Sequence, residues 1–152
     1  MIKYRNGNFL LTIDHYSVEI LAHEAVIYDL ETIFRRLFTF KAGDTVHDFE
    51  FFWETTTDTI SVTMDNLNNE EFFIFLDGVK CIFNFYDLAK ECVYDIMRDI
   101  GKLVHKEKET YNPLYDIEYN AIEFDREFHE DLISFVNHLK FDIKEYELRN
   151  QL

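Results

Sequence analysis

Between residues 47 and 85 apolar residues recur at alternate positions, the period expected of strands with one buried face. In "DFEFFWE", Phe49, Phe51 and Trp53 share one side, with Asp48, Glu50, Phe52 and Glu54 on the other. In "TISVTMD", Ile60, Val62 and Met64 lie opposite Thr59, Ser61, Thr63 and Asp65. Pairing Glu54 with Thr59 across "TTTD" sets Trp53 against Ile60, Phe51 against Val62 and Phe49 against Met64. With "NLNNE" as the next loop, Met64 faces Phe72, Val62 faces Ile74 and Ile60 faces Leu76. Across the Asp77-Gly78 turn signal, Leu76 faces Val79, Ile74 faces Cys81 and Phe72 faces Phe83. The predicted unit is a four-stranded antiparallel meander with one continuous apolar face.

One strand breaks the alternation. "FFIFL" carries large apolar side chains at Phe72, Phe73, Ile74, Phe75 and Leu76. The meander's second face therefore receives Phe73, Phe75 and Ile82, with Phe52 from the neighbouring hairpin. The expected cover is internal, with helices packed on both sides of a central strand. The alternative is an apolar hot spot inside an acidic rim, the layout of a partner-binding surface. Solvent exposure of Phe73 and Phe75 separates the two.

Elsewhere the period changes. "IKYRNGNFLLTI" has Asn6-Gly7 between apolar runs, predicting strands at Ile2 to Arg5 and Phe9 to Ile13, with an extension through "YSVEIL". "AVIYDLETIFRRLF" places Val26, Leu30, Ile33 and Leu37 at helical spacing, so a helix is expected to end before Gly43. "DLAKECVYDIMRDIGKLV" is a second helix, with Leu88, Ala89, Cys92, Val93, Ile96, Met97, Ile100 and Val104 on one broad side and Asn84 or Asp87 able to cap its start. "LYDIEYN" suggests a short strand through Tyr115, Ile117 and Tyr119. Phe128, Leu132, Phe135, Leu139, Ile143 and Tyr146 then follow the rhythm of a long helix from about Asp125, although "FDIKEYEL" also fits a strand. The fold class is α+β, an antiparallel meander of about four to six strands packed with about three amphipathic helices in one domain spanning 1–152.

Composition sharpens this picture. At 152 residues, 47% hydrophobic and 17% aromatic, the chain is long enough and apolar enough to bury a core without disulfides or a metal. Four glycines and one proline argue against a flexible linker. No apolar run approaches the roughly 18 residues of a membrane span, and "MIKYRNGNF" lacks the apolar segment of a signal peptide. Cys81 and Cys92 have no CxxC spacing and are expected as buried free thiols in a reducing cytoplasm.

The search for chemistry yields few candidates. "HEAVI" from His23 has Ile27 where a zinc hydrolase of the HExxH type needs its second imidazole. No histidine has glutamate three residues before it, as carboxylate di-metal bundles require. Asp125 and His129, one helical turn apart, fit a solvated surface pair better than a catalytic one. The three serines sit in no nucleophile elbow, and the glycines at 7, 43, 78 and 101 are too dispersed to cradle a phosphate. The sequence thus predicts no catalytic residue, no cofactor and no metal.

Charge is the more informative property. Residues 1 to 41 are neutral overall, while residues 42 to 86 hold nine acids and one base, Lys80. The whole chain carries -15, a charge that repels nucleic acid and anionic membranes and attracts basic proteins. Two features concentrate it. Asp87, Glu91, Asp95 and Asp99 recur every fourth residue, which on a helix spaces carboxylates by about 6 Å. Asp48, Glu50, Glu54, Asp58, Asp65, Glu70 and Glu71 crowd the meander's second face and its loops. Solvation of an exposed helix face accounts for the ladder if Lys90, Arg98 and Lys102 soften it, whereas a docking strip accounts for its lack of interruption. The candidate partner-binding residues are Glu50, Glu54, Asp58, Asp65, Asp87, Glu91, Asp95 and Asp99.

In "HDFEFFWETTTDT" and "DLAKECVYDIMRDI" the chain resembles, in composition, the immunity proteins of bacterial contact-dependent and polymorphic toxins. That resemblance implies a small cytoplasmic α+β protein whose partner is a cognate toxin, most plausibly a basic nuclease domain. A phage or mobile-element inhibitor of a host DNA-binding protein is the nearest alternative, and a small enzyme whose acidity serves only solubility is the third.

Overall fold

Positive φ angles mark two of the chain reversals that organise the fold. Asp77 and Gly78 have φ of 52° and 79°, the pair of left-handed residues that a two-residue hairpin turn needs to match strand twist. Asp14, at 56°, turns the chain in the N-terminal sheet. The computed structural model describes residues 1–5, 7–41, 44, 49–68, 71–110 and 116–151, without the side chains of 102–126. Asn6 of the first hairpin signal, together with Asp48 and Glu70 of the acidic set, lies outside the described residues.

Strands β1 (Ile2–Arg5), β2 (Asn8–Ile13) and β3 (Tyr16–Leu21) form an antiparallel sheet in that order, so the "YSVEIL" extension is a full strand. Helix α1 (Glu24–Phe38) follows, and then β4 (Glu50–Glu54), β5 (Thr59–Asn66), β6 (Glu71–Leu76) and β7 (Val79–Asn84) form the second antiparallel sheet. Helices α2 (Phe85–Thr110) and α3 (Asp116–Asn150) complete an α+β architecture of three helices and two sheets. No helix among the described residues is long and apolar enough to cross a membrane.

The meander register holds at both hairpins, with Trp53 opposite Ile60, Ile74 opposite Cys81 and Phe72 opposite Phe83. Between β5 and β6 it differs from expectation by two residues, because Met64 pairs with Ile74 and Val62 with Leu76. The cause is a turn centred one residue later than expected. β5 continues to Asn66, and the turn closes where the Leu67 and Asn68 N–H groups donate to Glu71 O and Glu71 N–H donates to Asn68 Oδ1. An even slip leaves every side chain on its face, so the inner set stays buried.

Two further expectations are corrected. Residues 116–120 begin α3 and are not a strand; "FDIKEYEL" is helical as well. Tyr115 lies outside the described residues. His129 is not solvated either, being buried with its ring edge-on to Tyr4 at 5.8 Å. A long helix overrides the local alternation at 116–119 because helical hydrogen bonds continue once the segment after it is nucleated and packed.

One continuous core joins both sheets to all three helices. Asn84 Oδ1 accepts from the Asp87 N–H at 3.1 Å and so caps the start of α2. The C-terminal end of α1 is satisfied partly from α3, where Arg149 donates to Phe38 O at 2.9 Å. Trp53, almost fully buried on β4, donates its indole N–H to Asp29 of α1 at 2.9 Å.

Burial raises the Asp29 carboxyl above its ordinary value, and the Trp53 hydrogen bond only partly offsets this. A carboxyl that binds its proton more readily folded than unfolded favours folding at low pH; that contribution is lost as pH rises from the unfolded value through the folded one. Asp29→Asn keeps an acceptor for Trp53 and removes the charge. Relative to the parent, the variant should therefore gain stability as pH rises from strongly acidic to neutral, measured by urea denaturation at both ends; a gap that stays flat or closes would refute this account.

Candidate binding face

Among the described residues no helix layer covers the second face of the β4–β7 sheet. Phe52 is 64% exposed and Ile82 39%, while Phe73 and Phe75 are half-buried. This corrects the expectation of internal cover. The sheet is a one-sided layer, as antiparallel sheets commonly are, but its open face is richer in aromatic side chains than such faces usually are.

Register fixes the layout of that face. Glu50, Phe52 and Glu54 alternate along β4, so the exposed phenyl ring has a carboxylate about 7 Å away on each side along the strand. One cross-strand row reads Glu50, Thr63, Phe75, Lys80, and the next contains Asp65, Phe73 and Ile82. Ser61 and Thr63 of β5 thus form a strip of small hydroxyl side chains between Phe52 and the Phe73–Phe75 pair, whose ring centroids are 6.4 Å apart. Asp58 is exposed in the β4–β5 turn, which Thr55 Oγ1 holds by donating to Asp58 O at 3.0 Å and accepting from the Asp58 N–H at 2.9 Å.

Lys80 shows what this surface does to a cation. Its ammonium lies 3.7 Å from the centroid of the Phe73 ring, over the negative face of the π system. Glu50, Glu54, Asp58 and Asp65 stand around the same sheet face and its turn, so the structure brings these four expected residues together.

The helix ladder divides differently. Asp87 and Glu91 are exposed, whereas Asp95 and Asp99 are buried. Asp99 Oδ2 accepts the Tyr4 backbone N–H at 3.0 Å, Asp95 Oδ1 accepts from Arg98 at 3.2 Å, and Glu91 lies 3.4 Å from the Met1 ammonium. Asp87 pairs with Lys90 at 3.6 Å. The ladder is therefore not one solvated strip. Helix α2 runs beside β1, the edge strand of the first sheet, where Asp99 satisfies an outward N–H that no neighbouring strand meets. The outer edge of β1 needs acceptors, and of the four ladder acids Asp99 meets its Tyr4 N–H while Glu91 meets the Met1 ammonium.

Burial raises both the Cys81 and Cys92 thiols, which keeps them protonated. Among the described residues no group of three or more His, Cys, Asp and Glu is placed to hold a metal ion.

Asp99→Ala strands the buried Tyr4 N–H and deprives Arg98 of a partner, so it should cost about 1–3 kcal/mol in chemical denaturation. Asp87→Ala, at an exposed ion pair, should change stability by less than about 1 kcal/mol. Equal effects would contradict the division of the ladder. Compared with protein family models, characterised proteins and solved structures, the chain has no significant match, so its own geometry carries the functional reading.

Proposed function

We propose that the protein binds and neutralises a basic protein partner, and that it does so as an immunity protein against a toxin nuclease in the cytoplasm. The observation that carries this reading is the open aromatic face of the β4–β7 sheet, with Phe52 exposed between Glu50 and Glu54. An Arg or Lys side chain suits this surface on both counts. Its apolar stem can lie along the Ser61–Thr63 strip while the head meets a ring face or a carboxylate. Acid around an apolar centre also speeds encounter with a positive cleft, and a nuclease cleft is positive because it binds phosphates. No metal, cofactor or reaction is required for inhibition by occlusion.

The test is co-expression with the basic nuclease domain encoded directly beside this gene. Wild-type protein should restore growth and be retained with the purified domain. Phe52→Asp should weaken binding about tenfold or more, as loss of a central aromatic anchor does, and Glu50→Lys with Glu54→Lys should slow association most at low salt. Because all three side chains are exposed, thermal stability should remain near that of the parent. The absence of any neighbouring toxin gene together with failure to retain basic nuclease domains would sink the reading, as would binding indifferent to these substitutions.

A further inference from the structure

The groove between α2 and α3 runs against the charge of the rest of the molecule. The two helices are antiparallel, since Tyr86 near the start of α2 packs on Tyr146 at 5.2 Å and donates to Glu147 at 2.7 Å near the end of α3. Between their outer sides lies an open groove of about 690 Å³. Val93, Met97 and Ile143 form its floor, and Met97 remains 46% exposed there. That residue was expected on the buried side of the helix. Lys90 and Arg98 stand on the α2 bank and Lys140 and Lys144 on the α3 bank.

Four of the chain's 15 basic residues thus line one groove on a protein of net charge -15. Against them the lining includes one carboxylate, Glu147, which already accepts the Tyr86 hydroxyl. The α2 cations are held in place. Lys90 lies 3.6 Å from Asp87 with its ammonium 4.0 Å from the Tyr86 ring, and Arg98 is bonded to Asp95 with its guanidinium 5.6 Å from the Tyr94 ring. On the α3 bank, Lys140 and Lys144 are exposed and make no ion pair among the described residues.

The spacing of these cations decides what the groove suits. Lys90 and Arg98 are eight residues apart, about 12 Å along the axis, and Lys140 and Lys144 about 6 Å. A single carboxylate or phosphate headgroup is too small to meet both banks and both ends. A helix with acids at every fourth position repeats at the same 6 Å interval and offers an apolar stripe to the floor, the geometry of helix-in-groove recognition. We propose that the α2–α3 groove docks an acidic amphipathic helix of a partner protein, at a site separate from the β4–β7 face and of opposite charge.

The full chain is titrated into a fluorescein-labelled peptide of about 18 residues, five helical turns, with leucines on one face and glutamates flanking them, followed by anisotropy. Binding should saturate and weaken as salt rises. Lys140→Glu with Lys144→Glu should weaken it about tenfold or more without changing the circular dichroism spectrum, and Met97→Glu should do the same through the floor. A scrambled peptide of identical composition should bind far less, and Phe52→Asp should leave binding unchanged. Equal affinity for the scrambled peptide would reduce the groove to unspecific charge and overturn the proposal. Displacement of the peptide by equimolar dodecanoate would assign the groove to a lipid anion and overturn it as well.

Discussion

The Phe85 side chain is the contact on which the assembly of the layers depends. It sits where β7 passes directly into α2, and its ring meets Phe38 of α1 at 5.1 Å, Tyr146 of α3 at 5.2 Å and Phe72 of β6 at 5.8 Å. All three contacts are edge-to-face, the arrangement that sets the positive edge of one ring against the negative face of another. Every helix and the second sheet are therefore registered against a single residue. Phe40 and Phe83 extend the cluster by packing on Phe72 at 5.2 and 6.1 Å. The richness in phenylalanine that marks the sequence has a structural use at this junction, because rigid rings fill a multi-element corner with little side-chain entropy to lose.

A second constraint comes from the edge of the first sheet. Strand β1 lies outermost, and its Tyr4 N–H points away from β2. Helix α2 covers that edge, and the match of repeats explains how. Met1 to Tyr4 spans about 10 Å of strand and Glu91 to Asp99 about 12 Å of helix, so carboxylates two turns apart meet the Met1 ammonium at one end and the Tyr4 N–H at the other. At Tyr4 the helix supplies in a side-chain carboxylate what a fourth strand would supply in a carbonyl. Covering the edge in this way also removes a template for pairing with other chains.

These two arrangements explain what could be read from the sequence and what could not. The hairpins were legible because turn residues and alternation are local, so Trp53 opposite Ile60 and Ile74 opposite Cys81 follow from a short stretch of chain. The β5–β6 slip was hidden because moving the turn by one residue shifts the pairing by two and leaves the same side chains buried. Ladder acids looked like a docking strip because helical period reports that Asp95 and Asp99 share a side, not which neighbour that side meets. That neighbour, β1, is more than 90 residues away in sequence. The open face of the second sheet was legible as a second apolar set, yet whether a helix covered Phe73 and Phe75 depended on where three helices could all reach Phe85. With α1, α2 and α3 gathered on the inner side, none covers the outer one among the described residues.

The acidity of the chain consequently has two separate meanings, and net charge alone confounds them. Asp99, Asp95 and Asp29 serve the fold, each accepting a hydrogen bond from a donor that would otherwise lack one. Glu50, Glu54 and Asp58 are exposed, and with Asp65, which accepts the Asn66 N–H at 2.8 Å, they surround a surface whose rings stand open or half-open. Within that surface the two aromatic positions are not equivalent. Phe73 already carries the Lys80 ammonium, so an incoming cation there must displace an internal one. Phe52 carries no such cation among the described residues and has Glu50 and Glu54 on either side along β4. A basic side chain approaching the sheet meets both an unoccupied ring face and two exposed carboxylates at that point, Glu50 and the Glu54 that lies 3.8 Å from the His23 imidazole, which makes Phe52, rather than the phenylalanine pair of β6, the natural centre of the proposed interface.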